Sequence, residues 1–169
     1  MKERELQYTR QAEDAETKLI TNEYARRRKE LKTAYDREVA DIQKALGNEA
    51  DVTEETWNQA NRRLKALREQ LNRDLQDLTW QRMKTERDAE RETEDMRYEL
   101  MEEGFEKRRA LTVLEYEREI EDLKWRLTTE RDITTKEREE INAQILLLQQ
   151  KHARDMADLA AEEEIQQAS

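Results

Sequence analysis

Apolar side chains return along this chain at steps of three and four residues, with charged and amide residues filling the gaps between them. The first stripe runs Tyr8, Ala12, Ala15, Leu19, Ile20, Tyr24, Leu31, Tyr35, Val39, Ile42 and Leu46. That is the period of an amphipathic helix rather than of a strand. Ile20, Leu31 and Ile42 lie eleven apart, as do Tyr24, Tyr35 and Leu46. An eleven-residue period corresponds to about 3.67 residues per turn, so a supercoil built on it is straight or slightly right-handed. One continuous helix is predicted over 1–46. Gly47 is expected to end it as a left-handed cap, with 47–52 as the turn. Thr53, followed by Glu54 and Glu55, is expected to start a second long helix over 53–127. So short a link predicts an antiparallel hairpin.

The second stripe is Trp57, Ala60, Leu64, Leu67, Leu71, Leu75 and Leu78. From Lys84 to Asp95 the only apolar residue is Ala89, and this spacer is expected to be mobile helix held by local charge pairs such as Arg91 with Asp95. Gly104 is expected to bend or break the helix. The stripe resumes with Phe105, Leu111, Leu114, Tyr116, Ile120, Leu123 and Leu127. A break is expected over 128–135, where Thr134 and Glu137 form a capping-box pattern. A C-terminal helix over 136–169 then carries Ile141, Ile145, Leu148, Met156 and Leu159. The fold class is all-α: long helices in an antiparallel coiled-coil hairpin or an elongated rod.

A short phrase recurs inside these stripes. Tyr116-Glu-Arg-Glu-Ile-Glu-Asp-Leu123 has apolar residues at its first, fifth and eighth positions, which share one helix face, and an Arg and an Asp four apart beside that face. Similar phrases cover Tyr8 to Ala15, Tyr35 to Ile42, Leu71 to Leu78 and His152 to Leu159. Tyr24 to Ile42 aligns without gaps on Phe105 to Leu123, matching Arg27 and Arg28 to Arg108 and Arg109, Arg37 to Arg118, and Asp41 to Asp122. The five phrases start 27, 36, 45 and 36 residues apart. Spacing that irregular predicts an extended rod with variable linkers rather than a stacked solenoid of one fixed period.

Composition narrows the functional classes. Of 169 residues, 44% are charged and only 35% hydrophobic, with two glycines and no proline. A thin seam is available and a thick core is not. The net charge of −10 argues against a nucleic-acid binder. The one dense basic cluster, Arg26 to Arg28, has Glu23 and Glu30 beside it and reads as a solvated helix face. With no cysteine, disulfide, thiolate and zinc-cluster chemistry are absent. The longest apolar run, Ile145 to Leu148, is far short of the roughly 20 residues that span a bilayer. No signal-peptide core opens the chain, and both ends read as uncapped helix, as in a segment of something longer.

Candidate chemistry is sparse. His152 is the only histidine and stands where other phrases place Tyr8, Tyr35, Leu71 or Tyr116, so it is expected to line the seam rather than bind metal or move a proton. No phosphate-cradling glycine loop and no nucleophile elbow occurs. No catalytic, metal or cofactor residue is expected, and no enzyme activity. The packing seam is assigned to Tyr8, Ile20, Tyr24, Leu31, Tyr35, Val39, Ile42 and Leu46 in the first stripe, and to Leu64, Leu67, Leu71, Leu75 and Leu78 in the second. Beyond Gly104 it comprises Phe105, Tyr116, Ile120, Leu123 and Leu127, then Ile141, Ile145, Leu148, Met156 and Leu159. Trp80 and Trp125 each follow a phrase start by nine residues, on the opposite side of the helix. A two-helix seam leaves them exposed, so they are expected either under a third helix or in contact with a partner.

From Tyr98 to Leu123 the wording resembles the helical repeat region of phage and prophage tail tape-measure proteins, especially those of Bacteroidetes. It has Gly104, an aromatic at Phe105, the basic pair Arg108 and Arg109, and an apolar-aromatic heptad ending in Tyr116. Tyr24 to Leu31, leading to Tyr35, repeats the style. The resemblance implies a structural rod that helps set tail length. It also implies assembly in the bacterial cytoplasm, residence in the virion tail, self-association and contacts with other tail proteins. A cytoplasmic coiled-coil scaffold or adaptor, presenting its tryptophans to a protein partner, is the second reading.

Overall fold

Without proline, and rich in Leu, Ala, Arg, Glu, Gln and Lys, the chain meets few obstacles to helix formation. The computed structural model describes residues 2–48 and 52–169. Among these the fold is all-α, with α1 over Lys2–Lys18, α2 over Glu23–Asn48, α3 over Glu54–Glu99, α4 over Phe105–Thr129 and α5 over Thr135–Ala168.

The first helix is not continuous. Leu19 and Ile20 leave it through tightened bonds to the carbonyls of Glu16 and Thr17, both 3.1 Å. Asn22 then starts α2, its side-chain oxygen accepting from the Ala25 amide at 3.0 Å. An asparagine cap, with neither glycine nor proline nearby, was enough to break an otherwise unbroken apolar period. Gly47 does not stop the helix either. It lies inside α2, which runs on to Asn48, and it is not among the glycines with positive φ. The rest of the turn expected over 47–52 falls mainly on residues 49–51, outside the described residues.

At the other interruptions the caps are visible. Thr53 accepts from the Thr56 amide at 3.1 Å and Thr134 from the Glu137 amide at 3.1 Å. Gly104 sits at φ 153° and ψ −174° immediately before α4, a conformation that favours glycine. Of the two outcomes open at Gly104, a bend or a break, the chain takes the break, between Glu99 and Phe105.

Two compact units result, residues 1–87 and 88–169. In the first, α1 runs antiparallel beside α2, pairing Arg10 with Asp41 and Lys44 with Glu3. α2 in turn lies antiparallel to α3, where Tyr24 reaches Thr85 and Glu38 reaches Arg63. In the second, residues 88–99 at the end of α3 run beside α4, pairing Arg91 with Asp122 and Arg118 with Asp95. α4 lies antiparallel to α5, pairing Arg108 with Glu162 and stacking Tyr116 on His152.

These correspondences share one register of 81 residues. α3 and α5 begin at Glu54 and Thr135, and the capping threonines are Thr53 and Thr134. Leu78 and Leu159 are buried at matching positions and, with Ile141, make up the buried apolar side chains among the described residues. The register also exposes a sixth phrase, Ala89-Glu-Arg-Glu-Thr-Glu-Asp-Met96. With it, starts at Tyr8, Tyr35 and Leu71 recur as Ala89, Tyr116 and His152. The irregular spacing expected from the sequence is a fixed period with one member overlooked. That member's first and fifth positions are Ala89 and Thr93, too small or polar to register as a stripe.

Candidate functional site

The most developed constellation in each unit is a clamp between its first two helices, made of two arginines and the carboxylates they reach, three in unit 1 and four in unit 2. In unit 1 Arg10, on α1, reaches across to Asp41 on α2 at 2.7 Å. Arg37, on α2, returns to α1, where it donates to the Arg10 carbonyl at 2.9 Å and to Glu13 at 3.3 Å and lies 3.0 Å from Asp14. In unit 2 Arg91 reaches Asp122 at 2.8 Å and Glu121 at 3.6 Å. Arg118 returns to the Arg91 carbonyl at 3.0 Å, to Asp95 at 2.6 Å and to Glu94 at 3.2 Å. Apart from Glu121, where unit 1 has Ala40, donors and acceptors of the two clamps correspond at 81-residue spacing, down to the guanidinium bond to a backbone carbonyl.

This geometry corrects two sequence expectations. The Arg and Asp of the repeated phrase stand four apart on one helix, yet Arg37 and Asp41 each find partners on α1. Arg91 and Asp95 likewise turn to α4, and the spacer expected to be held by local pairs is the helix that α4 grips. Spacing of four permits an intrahelical pair worth about 0.2–0.5 kcal/mol. A neighbouring helix offering carboxylates and a carbonyl in a more sheltered groove wins that competition. Elsewhere local pairs do form, as between Arg27 and Glu23 at 3.0 Å.

The electrostatics follow from the contacts. The hydrogen bond from Arg10 holds the Asp41 carboxyl below its usual range. The Asp14 hydrogen bond raises Arg37, and the Asp122 hydrogen bond raises Arg91, further favouring charge. For Arg118 burial is the largest influence and opposes charge, but the bonds to Asp95 and Glu94 outweigh it. The Nε atoms of Arg37, Arg91 and Arg118 are buried with no acceptor among the described residues. The clamp is thus strongly charged and incompletely satisfied.

The seam residues take up mostly partial burial. Ile20, Tyr24, Leu31, Tyr35, Val39, Ile42 and Leu46 are half-buried, as are Leu64, Leu67, Leu71 and Leu75, with Leu78 buried. Phe105, Tyr116, Ile120, Leu123, Leu127, Ile145, Leu148 and Met156 are half-buried, while Ile141 and Leu159 are buried. Tyr8 departs from the pattern at 64% exposed. α1 meets α2 through the clamp, and the tyrosine's place in the phrase does not bring it to that contact.

His152 stacks on Tyr116 with ring centroids 4.1 Å apart and planes 9° from parallel, and its Nδ1 is buried without a partner among the described residues. It is a packing residue there, where Leu71 stands in unit 1. Among the described residues no group of three His, Cys, Asp or Glu could hold a metal ion, and no helix is long and apolar enough to cross a membrane. Trp80 and Trp125 are half-buried and each is engaged in an interaction. Trp57 is the exposed tryptophan.

An open groove of about 470 Å³ between α4 and α5 has a floor of Leu123, Leu147 and Leu148 and a rim of Glu119, Asp122, Arg126 and Lys151. Its mixed-charge rim and lack of an enclosed polar centre suit packing against protein better than holding a small molecule.

Sequence reasoning missed the clamps because each half is unremarkable on its own helix. The signal was Arg10, Glu13 and Asp14 recurring as Arg91, Glu94 and Asp95, 81 residues on. Comparisons with protein-family models, curated proteins and solved structures return no match to this chain.

Proposed function

We propose that this chain is a non-enzymatic structural segment made of tandem helical units, acting as a spacer in a larger assembly and, on the resemblance of Tyr98 to Leu123, in a phage tail of the tape-measure kind. The observation that supports it best is the equivalence of the two clamps, one joint repeated at one period. Length set by a count of units is the property such repetition confers. The protein's partners under this reading are copies of itself and other tail components, in the cytoplasm during assembly and in the virion afterwards.

The adaptor reading keeps one observation of its own, the exposed Trp57 at 52%, an amphipathic anchor of the type enriched at protein interfaces. Removing or duplicating one 81-residue period in the encoding genome separates the two. Under the spacer reading, tail length in electron micrographs changes in proportion to the number of periods. Tails of unchanged length, with altered capture of a partner by Trp57→Ala, would sink it.

A further inference from the structure

The first helix of each unit is attached in an unusual manner. α1 buries only Thr17, whose hydroxyl is satisfied by the carbonyl of Glu13 in the same helix at 2.8 Å. Leu6 and Tyr8 are exposed. α2 faces the other way with its apolar residues: Leu31 and Ala34 line a shared groove with Leu78 of α3. In unit 2, Met96 is likewise exposed on the segment that α4 grips. The clamp supplies most of the ion pairs that join these helices to their neighbours, with Lys44 and Glu3 3.9 Å apart beside it in unit 1.

Each clamp is also paired with a non-helical corner of the same design. Leu19 and Ile20 bond back to the carbonyls of Glu16 and Thr17, and Leu100 and Met101 to those of Arg97 and Tyr98. The same leucine stands exposed at each corner, at 78% and 87%, and only the residue after it, Ile20 or Met101, is half-buried, so little apolar packing ties either corner down.

We propose that the two corners are hinges and the two arginine clamps their electrostatic latches. When the ion pairs are screened, the first helix of a unit swings away from the second, and the two-helix segment lengthens without losing helix. Attraction between exposed charges is screened over about 10 Å at 0.1 M salt and about 3 Å at 1 M. Apolar burial has no comparable dependence on salt, so a clamp made of charge is a joint that ionic strength or a competing polyelectrolyte can undo. The inference concerns the joint itself and holds for the spacer and the adaptor alike.

The chain has no cysteine, so paired labels can be placed without background. Gln7→Cys with Gln43→Cys reports on unit 1, and Asp88→Cys with Lys124→Cys on unit 2, each in the full chain. Spin-label or fluorescence distances should be short in dilute buffer. In 1 M sodium chloride they should shift toward a long population bounded by about 55 Å, the span of 36 residues of extended helix, while circular dichroism stays constant. Arg37→Glu should lengthen the unit 1 distance in dilute buffer and leave the unit 2 distance short, and Arg118→Glu should do the reverse. Adding Asp14→Arg to Arg37→Glu should restore the short distance, and circular dichroism of Arg37→Glu equal to that of the parent shows that the single variant folds. Distances that stay short at 1 M salt, or a double variant as open as Arg37→Glu, would overturn the latch.

Discussion

Asn22 and Gly104 open the second helix of their respective units and do so by unlike means. Asn22 supplies an acceptor to the Ala25 amide, whereas Gly104 supplies a backbone conformation, φ 153°, with no side-chain bond. The corners before them are alike, with matching tightened turns ending in an exposed leucine. What the fold requires is therefore the reversal and the clamp, and the cap that begins the next helix can be solved locally in more than one way. The other ends of the units diverge more. Where α5 carries Glu162 and Glu163 to pair with Arg108 and Arg109, α3 has Gln81 and Arg82, and Arg82 lies over the Tyr24 ring at 6.0 Å instead. Unit 2 gains ion pairs between its second and third helices that unit 1 does not match at these positions.

The comparison can be broken most forcefully at the core. Leu78→Ala and Leu159→Ala remove equivalent buried side chains and should each cost about 2–4 kcal/mol in denaturant unfolding. If one of them is silent, the units do not share a core. Next come the corners. Gly104→Ala should lose about 1–3 kcal/mol because an L-residue is forced into a glycine conformation, even though no neighbouring atom lies within 4 Å of the added carbon. Asn22→Ala should lose about 1 kcal/mol with the cap, and equal losses would mean that the two solutions are energetically interchangeable. Gly47→Ala should act in the opposite sense, raising stability by about 0.5–1 kcal/mol, since Gly47 lies within α2 and has open space around it. A loss there would mean that the residue works as a cap.

His152→Leu copies Leu71 into unit 2 and removes a buried, unpartnered nitrogen. It should change stability by less than about 1 kcal/mol, as read by thermal unfolding. The smallest effect is with acid. Because Arg10 lowers Asp41, this pairing stabilises unit 1 above the usual aspartate range and is lost as pH falls through the lowered value. An acid titration should open the unit 1 labels in that window, and Asp41→Asn should abolish the Asp41 contribution to it.

Much of the helical content was legible, because a period of three and four residues has few structural translations. The residues assigned to the seam, Tyr8 apart, are those the structure draws at least half out of solvent. Thr134 also serves as the cap its pairing with Glu137 suggests. The break at Leu19 to Asn22 was not legible. Asparagine begins helices by a single side-chain bond, and the same residue is common in the middle of loops or helices, so nothing in the local wording forces a stop. The clamps were hidden for a different reason. Charge spacing along one helix cannot reveal whether a second helix lies within reach, and Arg37 with Asp41 satisfied a local rule that the structure does not use. Only the position of Ala89 to Met96 relative to Tyr8 to Ala15, 81 residues apart, carried the information, and the weak apolar character of the later phrase concealed it.

α3 is a single helix that enters both units, running from Glu54 to Glu99 across the boundary at Arg87. Nucleating a helix is its costly step, and 17 isolated residues such as α1 are near the length at which a helix is marginal in water. Residues 88–99 are spared that step, because they only propagate a helix already begun at Glu54. The two clamped segments therefore start from unequal footing, and amide hydrogens of α1 should exchange well before those of 88–99.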